Sequence, residues 1–493
     1  MLKLLFTMLA LLGLVLRGAT QFPHTALDSL FSSLSQFGFF HGSVLIGQGD
    51  RVVFTRSNGM HNNDSTRYEL ASLSKVFAAV AVMQMQEQGK IKLQNPVQQY
   101  LPEFPYPSVK IEHLLSHTSG LPDFEIFDKL LDAAPERVMT NEAILPVLKN
   151  GVKLLFEPGD KWSYSSPGIA LLALIVERQS GMGFEAYLQK YIFKPAGMRH
   201  TYISRFNAPV RDGNRALPLM YPTYYASTLV TADTVARNQR FLHASGGVVG
   251  PGLVVSTAPD LFAFDRALMT GKLLRTATLA KMFTPVKLNN GKPATCPHYP
   301  GTVNFGLGWF LLQDSQLGKM VFHSGFKNGT STILLQRLST GTSVILLDNG
   351  NSAGISASAF NCLRLLHRLP MERLKTPVTF PYGRDIVTRG ANTALLNFMD
   401  NREDTAHYTM GAIDWVAMGY EFFRTGKFEE SFETFRTGYL LYPNDALLCQ
   451  VYGDVLLETG KKKEALHVYK KALHFKPDNK ELKDKVTALI SQL

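Results

Sequence analysis

Strand-forming runs stand at the two ends of a long front segment, and their separation constrains the fold more than any other feature of the chain. "GSVLIGQ" (42–48) and "RVVFTRSN" (51–58) alternate around Gly49-Asp50, which signals a β-hairpin. "KMVFHSG", "GTSTILLQR" and "GTSVILLDN" follow much later, between residues 319 and 349, joined by short turns. The stretch between the two sets is largely helical in pattern. Helical runs also flank them, "HTALDSLFSSLSQFG" (24–38) before and "ISASAFNCLRLLHRL" (355–369) after. Strands at both ends of a helical middle imply one antiparallel sheet assembled from distant segments. The insertion then forms an all-helical lobe, and a cleft between sheet and lobe is the natural place for a site.

At 493 residues the chain exceeds one average domain, and its composition (45% hydrophobic, 18% charged) is that of a globular protein with a sizeable core. Residues 1–20 read as an export signal: Lys3, the apolar run Leu4–Leu16, then Gly18 and Ala19. That run is too short to span a membrane, and no cysteine lies near it to carry a lipid, so a secreted or periplasmic protein is expected. The cysteines, Cys296, Cys362 and Cys449, are too few and too scattered for a disulfide framework or a zinc pattern.

Residues 21–369 form the front domain, and 370–385, with Pro370, Pro377 and Pro381, read as a linker. Residues 386–411, with "NTALLNFMDNR", read as a connecting helix. Beyond them the chain repeats at a 34-residue step. Trp415, Met418, Gly419, Phe422, Ser431, Phe435, Gly438 and Pro443 align with Cys449, Tyr452, Gly453, Leu456, Ala465, Tyr469, Ala472 and Pro477. This order of large, small and closing Pro positions resembles the tetratricopeptide repeat, a helix-turn-helix unit that often binds proteins. The resemblance implies repeats at 412–445 and 446–479, with a capping helix at 480–493.

Charge is uneven along the chain. From Gly383 onward 15 Lys and Arg stand against 16 Asp and Glu, leaving 36 basic and 24 acidic residues ahead of it. A basic front segment attracts anionic polymers or carboxylate substrates; nucleic acid fits poorly, because no aromatic-basic binding motif accompanies the charge.

The chemistry begins at Ser72-Leu73-Ser74-Lys75, an S-x-x-K that opens a long apolar helix running to Gly89. Residues i and i+3 share a helix face, so Ser72, not Ser74, can hydrogen-bond to Lys75. A helix N-terminus disfavours the ammonium and favours an oxyanion, which suits Lys75 as base and Ser72 as nucleophile. A second S-x-x-K, Ser324 to Lys327, sits at a Gly-interrupted strand end where no helix can hold its Lys over its Ser. Tyr164-Ser165-Ser166 lies between a Pro-Gly turn and a new apolar helix, a place from which Tyr164 can exchange protons. His323-Ser324-Gly325 ends a strand, and the backbone N–H of Phe326, with that of Ser72, can serve as an oxyanion pair.

These stretches, in this order, resemble the serine β-lactamase and penicillin-binding-protein superfamily, in its class C-like branch of D-peptidases and esterases. "IEHLLSHTSGLPD" and "FGLGW" look like its connecting segments. The resemblance covers roughly residues 25–370 and implies an α/β (α+β) fold, an antiparallel sheet flanked by helices plus a helical lobe. It makes Ser72 the nucleophile, Lys75 its base, Tyr164 the proton shuttle, and Ser166 with His323, Ser324, Gly325 and Phe326 the substrate-binding set. The chain departs from the pattern twice. Ser166 stands where Tyr-x-Asn has its amide, and His323 stands where β-lactamases carry Lys, which shifts weight toward ester or peptide chemistry.

Two other signals are discounted. His113 and His117 lack the H-E-x-x-H order of a metalloprotease, so no metal or other cofactor is expected. The run with Arg205, Arg211, Arg215, Tyr221, Tyr224 and Tyr225 reads as a solvated face before it reads as a cleft wall. The expected activity is hydrolysis of an ester or amide, D-amino-acid peptides included, through an acyl-enzyme. A non-hydrolytic penicillin-binding sensor and a true β-lactamase are the alternatives.

Overall fold

Backbone pairing joins the two sets of strands into one eight-stranded antiparallel sheet. The computed structural model describes residues 22–493 apart from 37, 60–61, 208–211, 300–301, 351 and 353. The apolar leader and Arg211 lie outside the described residues. In chain order the strands are β1 (Gly42–Gln48), β2 (Arg51–Ser57), β3 (Thr295–Cys296), β4 (Val303–Phe305), β5 (Phe310–Asp314), β6 (Gly318–Lys327), β7 (Thr330–Arg337) and β8 (Thr342–Asp348). Their spatial order is β2-β1-β8-β7-β6-β5-β4-β3. The closure between chain ends is the β1–β8 pair, in register from Gly42 opposite Asp348 to Gln48 opposite Thr342.

Burial explains why the central strands read as continuous apolar runs. Every residue of β8 and all but the last of β7 are buried, as expected for strands covered on both faces. On the helical side, α1 (His24–Gln36) precedes the hairpin and α2 (Lys75–Glu87) opens the middle segment. Ten of the thirteen residues of α2 are buried, so it is apolar all round and has no amphipathic stripe. It packs against α3 (Ser166–Ser180), with α4 (Ala258–Met269) laid on β1 and β8 and α5 (Ile355–Leu366) on β7 and β8. Gly89, at φ +73°, closes α2 just past its end. The front unit is thus the expected antiparallel sheet with flanking helices and a helical lobe.

Cα packing divides the chain into two compact units. One holds the described residues up to Met220 together with Thr231–Met371; the other holds Tyr221–Val230 and Glu372–Leu493. The second unit is helical: α6 (Thr379–Arg389), α7 (Ala391–Asn401), α8 (Ala412–Arg424), α9 (Phe428–Leu441), α10 (Ala446–Glu458), α11 (Lys462–Phe475) and α12 (Lys480–Ile490). The reading of 370–385 as a linker is corrected here, because α6 begins at Thr379 and buries Val378 and Tyr382. Pro381 does not prevent this: it sits in the first turn, where its missing N–H has no intrahelical partner to lose. The connecting segment after it is likewise more than a single helix, since Gly390 at φ +83° separates α6 from α7.

Close approach of paired helices in this unit depends on glycine. A Cβ added at Gly419 of α8 would lie 2.5 Å from the ring of Phe435 on α9, and one at Gly453 of α10 would lie 2.6 Å from Tyr469 on α11. Within the same unit Tyr225 stacks on Phe422 at 4.8 Å between ring centroids, and Tyr224 stacks on Phe380 at 5.4 Å.

Candidate active site

Ser72 does not stand in the α-helix its sequence suggests. It lies in a 3-10 turn, Ala71–Ser74, and Lys75 is the first residue of α2. The tighter turn serves the pairing better, because side chains at i and i+3 eclipse in a 3-10 helix. Lys75 Nζ donates to Ser72 Oγ at 3.0 Å and to the Pro251 carbonyl at 2.9 Å. Ser74 turns away, its hydroxyl accepting from the backbone N–H of Val254 at 3.2 Å. Ala71, immediately before the serine, is held at φ +46°, a strained setting for a non-glycine residue.

Lys75 is fully buried, and removal from water pushes its pKa from the usual lysine range down to about 7, although the nearby Asp123 carboxylate opposes the shift. A free amine is therefore available near neutral pH, within hydrogen-bond reach of a hydroxyl. Tyr164 completes the group. Its hydroxyl hydrogen-bonds to the Ser72 side chain, and Lys75 Nζ lies 4.8 Å from its ring centroid. Burial pushes the phenol pKa well up, with the Ser72 hydrogen bond acting in the opposite sense. A phenol that stays protonated can give a proton to a leaving group but is a poor resting base.

The loop after the short helix Ile111–Leu115 holds Tyr164 in place. Ser163 N–H donates to the His117 carbonyl at 2.8 Å, and Ser165 N–H donates to His117 Nδ1 at 3.2 Å. The His117 and Tyr164 rings face each other at 4.4 Å. His113 and His117 do not share a helix face, since the helix ends at Leu115 and His117 adopts φ +57°. His117 is instead a positioning residue for Tyr164, a role its sequence spacing does not suggest. Ser165 caps α3, its hydroxyl accepting from Gly168 N–H.

Strand β6 continues to Lys327 and does not stop at Gly325, where the sequence pattern ends it. The glycine serves a different purpose. A Cβ there would lie 2.0 Å from the Leu70 carbonyl oxygen and 2.9 Å from Leu73 N, so only glycine lets β6 lie against the 3-10 turn. This approach brings Phe326 beside Ser72, and both line the two adjoining cavities described below. The other S-x-x-K is no dyad: the Ser324 hydroxyl pairs with Tyr299 OH at 2.5 Å, and Lys327 pairs with Glu69.

His323 is buried, and burial first, then the Lys75 charge, pushes its pKa down to about 3. The ring is neutral, with Nδ1–H donating to the Ser324 carbonyl at 2.7 Å and Nε2 left without a partner among the described residues. It offers no positive charge to a carboxylate. Ser166 is also buried. Its N–H donates to Asp123 Oδ1 at 2.9 Å and its hydroxyl to the same carboxylate, so it is not free to copy an amide.

Two cavities meet at Ser72, Asp123, Tyr164 and Phe326, one of about 610 Å³ and the other of about 730 Å³. The first has apolar walls from Phe124, Phe206, Phe241 and Leu242, and a charged wall from Glu69, Arg215, Asp233 and Lys327. Arg205 and Arg215 thus line a cavity and do not form only a solvated face. Arg215 pairs with Glu69, and Arg205 pairs with Glu185 at 3.3 Å. Tyr221, Tyr224 and Tyr225 belong to the second unit. Among the described residues no group of three or more His, Cys, Asp or Glu is placed to hold a metal ion.

The family model named Beta-lactamase matches residues 27–359. Penicillin-binding protein 4* of Bacillus subtilis is 34% identical over 333 residues, covering 66% of this chain and 71% of that protein. Esterase EstB of Burkholderia gladioli is 26% identical and covers 60% of this chain and 88% of its own length. The crystal structure of a penicillin binding protein from Bacillus halodurans superposes with a TM-score of 0.57 at 25% identity, covering 69% of this chain and 98% of that one. The family match ends before Glu372, where the long C-terminal segment of the second unit begins.

Proposed function

The chain belongs to the beta-lactamase family, and on that premise we propose that it is an exported serine hydrolase that cleaves an ester or amide through an acyl-enzyme on Ser72. The observation that carries this reading is the 3.0 Å contact between Ser72 Oγ and a Lys75 amine driven toward neutrality by burial. Lys75 takes the hydroxyl proton as Oγ bonds to the substrate carbonyl carbon, and the resulting oxyanion faces the backbone N–H groups of Ser72 and Phe326. As the tetrahedral carbon collapses, its bond to the leaving group breaks, and Tyr164 passes the proton to that group, regaining one from Lys75. Water then repeats the sequence in reverse roles, adding hydroxyl to the acyl carbon and returning the proton to Ser72. The neutral His323 supports ester or amide substrates over β-lactams, which present a carboxylate.

The helical unit is proposed to be a pair of tetratricopeptide repeats with a capping helix, serving as a protein-docking module. Two pairs of residues 34 apart, Gly419 with Gly453 and Phe435 with Tyr469, repeat one packing relation, which supports that period. Export rests on the leader pattern in residues 1–20.

A fluorophosphonate probe tests the catalytic reading. Mass spectrometry should place the label on Ser72, and Ser72→Ala should lose labelling and at least about a thousandfold in nitrophenyl ester hydrolysis. Absence of wild-type labelling, or labelling that survives Ser72→Ala, overturns it. Labelling without turnover of any ester or amide would instead favour the sensor.

A further inference from the structure

Among the described residues Lys75 hydrogen-bonds to Ser72 Oγ at 3.0 Å and to the Pro251 carbonyl at 2.9 Å. Ser166 gives it no bond, because its own hydroxyl goes to Asp123, which acts on Lys75 through charge. A free amine carries two N–H bonds and one lone pair, and only the lone pair can take the Ser72 proton. Whatever accepts an N–H from Lys75 therefore decides where the lone pair points. Pro251 is that acceptor, although it lies 176 residues away in the chain.

Pro251 belongs to a short loop, 250–253, that is fastened at both ends. After the loop, Val254 N–H donates to Ser74 Oγ at 3.2 Å, and the Val254 carbonyl accepts from Leu70 N–H at 2.8 Å. Before it, both backbone groups of Val249 go to one side chain. Val249 N–H donates to Asn141 Oδ1 at 2.8 Å. Asn141 Nδ2 donates in turn to the Val249 carbonyl at 2.9 Å and to the Ala170 carbonyl of α3 at 3.2 Å. Asn141 is buried, and these bonds use both donors and one lone pair of its amide. The pairing starts in the backbone, where Met139 N–H donates to the His243 carbonyl and Thr140 bridges to Gly247. At Asn141 the backbone turns into a 3-10 helix, Asn141–Ala143, and the side chain continues the pairing in its place. The loop is bent by Gly250 at φ +107° and Leu253 at φ +74°. The leucine is strained there and keeps this setting only while its surroundings hold it.

We propose that Asn141 is a positioning residue for the catalytic base: by fixing Val249 it holds the Pro251 carbonyl where that carbonyl takes an N–H of Lys75 and turns the lone pair toward Ser72. This rests on the serine-hydrolase reading and adds to it a residue outside the stretches that carry the chemistry. With Ser166 committed to Asp123, the loop carbonyl is the acceptor left to orient the amine.

The test measures fluorophosphonate inactivation of the full chain, which separates probe binding (KI) from attack by Ser72 (kinact), with p-nitrophenyl butyrate turnover alongside. Asn141→Leu should lower kinact by about 30-fold, the scale of loss from a small misplacement of a reacting group, and leave KI within about twofold. Butyrate kcat/KM should fall by the same factor. Ser343→Ala, which removes a buried hydrogen bond to Asp265, is the control for stability alone. It should lower the urea midpoint and leave kinact within about twofold. In a Lys75→Met background, Asn141→Leu should change the residual kinact by less than about twofold, because it acts through the lysine. Should Asn141→Leu fail to fold, Asn141→Ser decides by the same measurements. Wild-type kinact in the folded variant, an equal loss in Ser343→Ala, or an undiminished loss in the Lys75→Met background overturns the positioning role and leaves the hydrolase standing. No labelling and no butyrate turnover by the wild type overturns the hydrolase reading itself.

Discussion

At the scale of single residues, Lys75 ties function to stability. Its amine is useful because burial has brought its pKa to about 7, and the same burial has a cost. Between that value and the ordinary lysine range the unfolded chain binds a proton that the folded chain does not. Stability therefore rises with pH across this window, and at neutral pH and below the penalty is on the order of 4 kcal/mol. Lys75→Met should abolish ester hydrolysis yet raise the melting temperature at pH 7, with the gain over wild type shrinking toward pH 10. A lower melting temperature across that range would contradict this assignment. The wild-type rate should rise as pH passes upward through about 7, since the base must lose its proton first. Ser72 and Lys75 were legible because their spacing is local and turn geometry converts it directly into contact. Asp123 and His117 were not, although both lie in "HTSGLPD". An Asp after Pro reads as a turn residue, and only the fold brings it to Ser72.

At the scale of elements, the decisive contact is a strand lying on a turn. β6 passes the 3-10 turn closely enough that a methyl group at 325 would meet the Leu70 carbonyl and the Leu73 amide, neither of which can rotate away. Gly325→Ala should therefore cost about 3 kcal/mol in urea unfolding and reduce kcat/KM by about a hundredfold or more. A variant with wild-type kinetics would show that β6 does not set the position of Phe326 beside Ser72. Periodicity identified the strands and the apolar helices correctly, because burial acts on every residue of an element. It misjudged boundaries where one residue carries two meanings. Gly325 reads as a strand end but permits close approach, and Pro381 reads as a linker but fits a first helical turn.

At the scale of the whole molecule, the two units differ in what their sequences disclose. Both cavities at Ser72 are lined by residues of the first unit. A chain ending at Met371 should keep butyrate hydrolysis within about threefold, whereas a cut near Tyr382 would sever α6 inside a buried turn and leave an apolar stub. The shortened chain should become open to limited proteolysis within residues 221–230, because Tyr225 loses its stack on Phe422. Loss of activity on removing 372–493 would show that the catalytic unit depends on the helical one. The sequence by itself determined the sheet of distant strands, the Ser72–Lys75 pair and the 34-residue period, since each follows from spacing along the chain. Only the tertiary structure decided which charges are compensated. Glu69 pairs with both Arg215 and Lys327 across 258 residues of chain, with Asp233 close by, while Asp123, beside the nucleophile, acts on the buried Lys75. Partners so far apart in sequence are matched by packing, and no local pattern records the match.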